Sequence, residues 1–221
     1  MKAVYIEEHG GPEVLVYGDR PEPLLTPDHV KIRVKASSLN RLDLYTRAGG
    51  RGLKRDFPPP LILGGDCSGD VVDVGDKVDQ LSMGDRVLVN PRLSCNMCPT
   101  CVSGRDDLCS KSTFMGSAVD GSYAEFVTVP AINVHRISPD VTYDQAAAVP
   151  TTFLPVWNMM VRRAQLKPWE TVLVLSASAG VGTAAIQVAK QVIGAKVIAT
   201  TSTAEKVIQA KKWGADEVIN Y

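Results

Sequence analysis

The stretch from Thr171 to Asn220 restricts the fold more than any other part of the chain. Val172 to Leu175 is a short apolar run without alternation, the pattern of a parallel strand covered on both faces. A turn of small residues runs from Ser176 to Gly182. From Thr183 to Gln191, the spacing of Ala184, Ile186, Val188 and Ala189 makes one apolar helical face. Lys196 to Thr200 reads as a second buried strand, Ala204 to Trp213 as a second helix, and Glu217 to Asn220 as the start of a third strand. Strand and helix alternate at the lengths of a parallel βαβαβ unit.

A turn without side-chain bulk lets a phosphate approach the backbone N–H groups at the positive end of the following helix. The G-x-G-x-x-G pattern stands here as Ala177-Ser178-Ala179-Gly180-Val181-Gly182, with alanine in two glycine positions. Alanine lets a backbone approach closely but tolerates positive φ poorly. An ordinary strand-to-helix turn is the alternative; the βαβαβ context favours a dinucleotide site.

The remainder, Met1 to about Pro150, is β-rich and broken by turns. Val30 to Lys35 alternates inside and outside residues, and Val71 to Val74, Arg86 to Val89, Ala124 to Val129 and Val134 to Ile137 are further short strands. This spacing predicts a small barrel or sandwich. Pro58-Pro59-Pro60 reads as a rigid connector and Asp144 to Ala148 as the start of a helix. The expected domains are 1–150 and 151–221. The formal net charge of +0 and the lack of a basic run argue against a nucleic-acid partner. With no bilayer-spanning apolar run and no leader-like N-terminus, a cytoplasmic protein acting on a small molecule is expected.

Four of the five cysteines form Cys95-x2-Cys98-x2-Cys101-x7-Cys109. Such spacing lets thiolates curl around one tetrahedral ion with no open position, a structural zinc; two disulfides or four free thiols are the alternatives. Cys67 follows Asp66 in a glycine-rich segment and reads as a packed small residue. His9, His29 and His135 read as surface or capping residues. Phe153 and Trp157 read as packing residues rather than a cleft lining.

GGPEVL near the start, ILGGDCSGDVVDVG, the four-cysteine lobe and the glycine turn together resemble the medium-chain dehydrogenase/reductase superfamily over essentially the whole chain. The resemblance implies an α/β chain with a GroES-like β-rich domain, then a truncated Rossmann doubly wound domain. Zinc alcohol dehydrogenases of that superfamily hold a catalytic zinc; at the matching positions stand Asn40, Gly64-Gly65-Asp66, Thr151 and Thr152, with Leu42 and Tyr45 at the proton relay. Asn, Gly and Thr make no tight zinc site.

Asn40 followed by Tyr45 is similar instead to the zinc-independent quinone oxidoreductases. That likeness implies that Asn40 and Tyr45 offer an amide and a phenol to a substrate carbonyl near the nicotinamide, with Asp43 orienting its neighbours. An enone or quinone needs orientation and a hydrogen-bond donor rather than a Lewis acid. Taken singly, Asn40 also reads as a turn cap and Tyr45 as a core-edge aromatic.

The end of the second strand, Thr200-Thr201-Ser202-Thr203, lacks the acid that an NAD site carries, so small hydroxyls with Lys206 suit the 2′-phosphate of NADP. Lys206 also reads as a solvated helix residue. In the quinone-reductase branch a Lys and a Tyr contact that phosphate, matching Lys206 and Tyr221. The cofactor set implied is Arg41 at the pyrophosphate, Thr152, Ser178, Ala179, Gly180, Val181, Gly182, Thr201, Ser202, Lys206 and Tyr221. With only three strands of a 3-2-1-4-5-6 sheet, the chain is expected to be part of a longer enzyme, a homo-oligomer, or completed by a second chain segment. An alcohol dehydrogenase with metal at Asn40 and Asp66, and a non-catalytic nucleotide-binding protein, remain alternative functions.

Overall fold

A computed structural model describes residues 1–57 and 59–221, in two compact units, Met1–Pro150 and Thr151–Tyr221. Of the proline connector, Pro58 lies outside the described residues, and Pro59 and Pro60 lead irregularly into a strand.

The first unit holds β1 (Lys2–Ile6), β2 (Val16–Asp19), β3 (His29–Ser37), α1 (Arg41–Ala48), β4 (Leu61–Ile62), β5 (Cys67–Val74) and β6 (Arg86–Val89). After these come β7 (Arg92–Leu93), α2 (Pro99–Val102), β8 (Thr113–Phe114), β9 (Phe126–Pro130), β10 (Val134–Arg136) and α3 (Tyr143–Ala147). The strands form an antiparallel sheet β2-β1-β4, a five-stranded sheet β10-β6-β5-β3-β9 and the hairpin β7-β8. Alternation along β3 works as the sequence implies: Val30 and Ile32 are fully buried while Lys31 and Arg33 lie on the other face. They join Val71, Val87, Val89, Val127 and Val129 in the main core, where Cys67 also sits.

In the second unit, α4 (Pro150–Trp157), with Pro155 inside it, continues through a wide π turn over Asn158–Arg163. Then β11 (Thr171–Val174), α5 (Gly180–Gln187), β12 (Lys196–Thr201), α6 (Ala204–Trp213) and β13 (Glu217–Asn220) form a parallel sheet of order β11-β12-β13. Thr171 opposes Lys196 and Ile198 opposes Glu217, which fixes the register.

One expectation is corrected. β11 is not covered on both faces: Val174, Val197 and Ala199 are buried on one side, whereas Leu173 is 57% exposed and Ile219 52% on the other. The period of two sends alternate residues to opposite faces, and within this unit only one face is packed. Phe153 packs against that core, and Trp157 is largely exposed.

Candidate active site and metal centre

The loop between β7 and β8 gathers the four cysteines. Sγ–Sγ distances are 3.4 Å for Cys98–Cys101, 3.5 Å for Cys95–Cys109, and 3.9 Å for Cys95–Cys101 and Cys98–Cys109. Tetrahedral zinc with Zn–S near 2.3 Å requires sulfurs about 3.8 Å apart. The thiols therefore already stand where zinc ligands must stand. The Thr100 hydroxyl lies 2.9 Å from Cys98 Sγ and is the largest influence holding that thiol low; backbone N–H groups lower Cys109, while burial raises Cys101. Four crowded thiols cannot all ionise alone, and a divalent cation removes the conflict. Among the described residues this is the one group of three or more His, Cys, Asp or Glu side chains placed to share a metal.

Asn40 ends the extended chain after β3 and is the N-cap of α1, so the turn-capping reading holds locally. Its backbone N–H donates to Asp43 Oδ2 at 2.7 Å. Its amide nitrogen donates to Asp66 Oδ2 at 3.0 Å and to Ser38 Oγ at 3.2 Å, and Ser38 Oγ–H donates to the same Asp66 oxygen at 3.1 Å. A carboxylate only accepts, so the NH2 side of the amide must face Asp66. Both amide hydrogens are then used inside the protein. The expectation that Asn40 offers its amide to a substrate carbonyl is corrected to that extent: the donor is spent on fixing the base of α1.

Asp66 is fully buried and Asp43 is 5% exposed. Burial pushes the Asp43 carboxyl up, against the pull of the Asn40 N–H and the Tyr123 hydroxyl; the negative charge of Asp66 adds to the rise. Tyr123 donates to Asp43 Oδ2 at 3.0 Å, and burial, with the Asp43 charge, raises its phenol strongly. Gly64 makes room for it: with φ +95, an added Cβ would fall 2.3 Å from the Tyr123 ring. Asp43 Oδ2 thus accepts from both the Asn40 N–H and the Tyr123 hydroxyl. Tyr45 differs from all of these. It is half-buried, its ring carries the Arg51 guanidinium at 4.5 Å, and its hydroxyl has no hydrogen-bond partner among the described residues.

His9 proves to be a capping residue. Its Nδ1 meets the Thr46 carbonyl at the end of α1 at 2.9 Å, and Arg55 N–H donates to its Nε2 at 2.9 Å. Cys67 is fully buried, its thiol pushed up to about 12 by burial, and takes no part in the metal group.

In the second unit the turn differs in detail from the alanine-for-glycine reading. The left-handed residue is Ser176, φ 54, and Ala179 is an extended N-cap at φ −78. The alanines therefore carry no backbone penalty. The indispensable glycine is Gly182, where an added Cβ would fall 2.3 Å from the Ser176 carbonyl oxygen. Gly180, Val181 and Gly182 form the first turn of α5, where N–H groups have no helical acceptor. Ser178, Ala179, Gly180 and Val181 are exposed, and Thr152 lies against Gly180, with its Cγ2 3.0 Å from an added Cβ. The donor set fits an anion such as a pyrophosphate.

Ser176→Gly is expected to stabilise this unit by about 1 kcal/mol, since glycine alone takes left-handed φ without cost. A higher urea midpoint with unchanged slope is the check.

Ser202 and Lys206 are exposed at the start of α6, whose N-cap Thr203 accepts the Lys206 N–H at 3.3 Å. Thr201 drops out of the expected phosphate contacts. It is 2% exposed, because alternation along β12 turns it into the packed face. Tyr221 is 74% exposed, and its N–H donates to the Thr201 carbonyl. Arg41 is exposed in the first turn of α1. Sequence reasoning misses Ser38, two residues before Asn40, and Tyr123, which joins the site through a long-range contact with Asp43, and reads Asp66 only as a replaced ligand position.

A β-rich unit with a four-thiol lobe is followed in the chain by a parallel three-stranded sheet whose glycine turn presents backbone N–H groups at the start of α5. The family description "Alcohol dehydrogenase GroES-like domain" matches residues 26–139, and "Zinc-binding dehydrogenase" matches residues 180–221. The chain belongs to the medium-chain dehydrogenase/reductase superfamily. It is 35% identical over 225 residues to the NAD-dependent alcohol dehydrogenase of Saccharolobus solfataricus, covering 100% of this chain and 64% of that protein. A crystal structure of an NAD-dependent alcohol dehydrogenase is 42% identical with a TM-score of 0.95, again over 100% and 64%. The quinone oxidoreductase of Pseudomonas syringae pv. Tomato DC3000 is 34% identical with a TM-score of 0.78, over 100% and 58%. The chain thus spans about two-thirds or less of the length of the relatives it matches. No helix among the described residues is long and apolar enough to cross a membrane.

Proposed function

We propose that this protein is an NADPH-dependent oxidoreductase that reduces a quinone or an activated C=C or carbonyl compound without a catalytic zinc, its one zinc being structural. The observation that carries the reading is the hydrogen bonding at Asn40: its amide is committed to Asp66 and Ser38, an arrangement that orients and does not ligate. The four-thiol group alone has a metal-binding donor set among the described residues. A catalytic zinc does not fit the residues at Asn40, Gly65 and Asp66, so no step is routed through one.

Bound NADPH would supply the hydride. The N–H groups of Gly180, Val181 and Gly182, with Thr152 beside them, would hold its pyrophosphate. Ser202 and Lys206, with Tyr221, would take the 2′-phosphate, since Thr200 to Thr203 contain no carboxylate to repel it. Tyr45, with its free hydroxyl, would donate a hydrogen bond to the oxygen on which negative charge develops as hydride adds to carbon, and solvent would supply the balancing proton. Asn40 and Asp43 hold α1, and with it Tyr45, in place.

Tyr45→Phe is expected to lower kcat for NADPH oxidation by about a hundredfold with zinc content unchanged. The assay uses a small quinone, an enone and an aldehyde as acceptors, with NADPH and NADH compared. Turnover of quinone or enone with NADPH preferred supports the reading; an unaltered kcat in Tyr45→Phe removes its central residue. The relatives named as alcohol dehydrogenases favour a second reading, an alcohol dehydrogenase. More than one zinc per chain, with alcohol oxidation, would establish it.

A further inference from the structure

The chain is neutral overall, yet its positive charge is unevenly spread. Between Arg41 and Arg55 stand Arg41, Arg47, Arg51, Lys54 and Arg55 against one carboxylate, Asp43, which is buried and engaged by Asn40 and Tyr123. None of these five cations pairs with a carboxylate among the described residues. Some cations elsewhere are answered, Lys2 by Asp19, Lys31 by Glu22, Lys35 by Asp70, Arg136 by Asp85, Lys190 by Asp216 and Lys196 by Glu217, and within the group Arg47 is near enough to Glu13 to add to the lowering of its carboxyl by backbone N–H groups.

Three of the five have local work. Arg47 Nε donates to the Gly10 carbonyl, Arg55 stacks over Phe57 and reaches the Pro59 carbonyl, and Arg41 is assigned above to the cofactor. Arg51 has no such occupation. Its backbone is left-handed at φ 54, a conformation in which glycine is the low-cost residue, and it stands between Gly49 and Gly52, which share that conformation. Its guanidinium lies 4.5 Å from the centre of the Tyr45 ring. The surroundings are open, since a Cβ added at Gly50 or Gly52 would meet nothing within 4 Å.

We infer that Arg51, flanked by Lys54, is a subsite for an anionic group on the acceptor, so that the substrate is a reducible carbonyl, enone or quinone carrying a carboxylate or a phosphate. The inference rests on the reading of Tyr45 as the oxyanion donor. A guanidinium stacked on an aromatic face keeps its edge N–H groups free, and their fork matches two oxygens of a carboxylate or phosphate. The anion pairs beside Tyr45 and sets the acceptor against the phenol.

The cofactor's own phosphates offer the same chemistry, and the experiment separates the two sources. Cyclohex-2-enone and 4-oxocyclohex-2-ene-1-carboxylate are compared by calorimetric binding to the protein with NADPH, and by turnover. The wild-type protein is expected to prefer the carboxylate by about tenfold. Arg51→Gly, which removes charge and strain together, is expected to abolish that ratio, Arg51→Lys to keep part of it, and Lys54→Ala to reduce it. Higher salt reduces it too. Loss of NADPH affinity in Arg51→Gly with the ratio intact would assign the subsite to the cofactor and overturn the inference. An equal loss for both acceptors, or no preference in the wild type, overturns it as well. If neither compound is turned over yet the binding ratio behaves as stated, the anionic subsite stands and the reductase reading alone falls.

Discussion

Cys101→Ser is expected to take the zinc content from about one per chain to nearly none, and to unfold the lobe around it without unfolding the domain. The reason lies in what the lobe lacks. From Ser94 to Ser112 the only buried side chain is Cys109; α2 is four residues long and buries nothing, and Met97 and Val102 are 80% and 75% exposed. A segment with no apolar core has only its metal to offset the entropy of ordering. Serine offers a hydroxyl that is neither ionised at neutral pH nor soft enough to replace a thiolate. The main core around Val30, Ile32, Val87 and Val129 contains no residue of the lobe and should melt almost as before. Metal analysis with hydrogen exchange across residues 94–112 reads both effects. Cys67→Ser is the control and should keep its zinc, because Cys67 is a core side chain away from the four-thiol group. Zinc retained in Cys101→Ser, or a protected lobe without it, would mean that something other than the metal holds the loop.

Gly182→Ala is the second large effect. The added methyl would lie 2.3 Å from the Ser176 carbonyl oxygen and 3.1 Å from Ala177 Cα, both backbone-bound atoms that cannot rotate away. Ala177 N–H is meanwhile tied to the Thr200 carbonyl at 2.9 Å, so the turn is anchored to β12 and cannot retreat. A destabilisation of about 3 kcal/mol is expected. Nucleotide affinity should fall with it, as displacing the first turn of α5 moves the N–H groups of Gly180 and Val181 together. The parallel variant Gly180→Ala meets only the Thr152 methyl at 3.0 Å, a side chain able to shift. It should fold nearly normally, and titration of the two variants with NADPH distinguishes a lost fold from a lost phosphate contact. Equal behaviour of the pair would remove the backbone clash as the cause.

The alternation at Val30 and Ile32, the limits of α6 and the thiol spacing depend on neighbours a few positions away, and each was legible in the sequence. The burial of Thr201 was not, because a run of small hydroxyls at a strand end looks uniform until the pleat assigns each one a face. Nor was the left-handed residue in the glycine turn: the pattern pointed at Ala177 and Ala179, while the bend falls at Ser176, outside the six positions compared. Asn40 shows the limit most clearly. Its identity as a replaced ligand was readable, but its partner Asp66, and Tyr123 which donates to Asp43, come from two separate segments. No local pattern announces that an amide will be consumed by a carboxylate 26 positions away.

That consumed amide also says where this scaffold can vary. One end of α1 is bolted to Asp66 through Asn40 and to Tyr123 through Asp43, and its other end is held by His9 on the Thr46 carbonyl. Between those fixings, Leu44 and Ala48 are exposed beside Tyr45, and each can be exchanged without loosening either fastening. The helix behaves as a fixed shelf with replaceable contents, so a change of acceptor is open to substitutions along its outer side, while substitutions at its two ends alter the shelf itself.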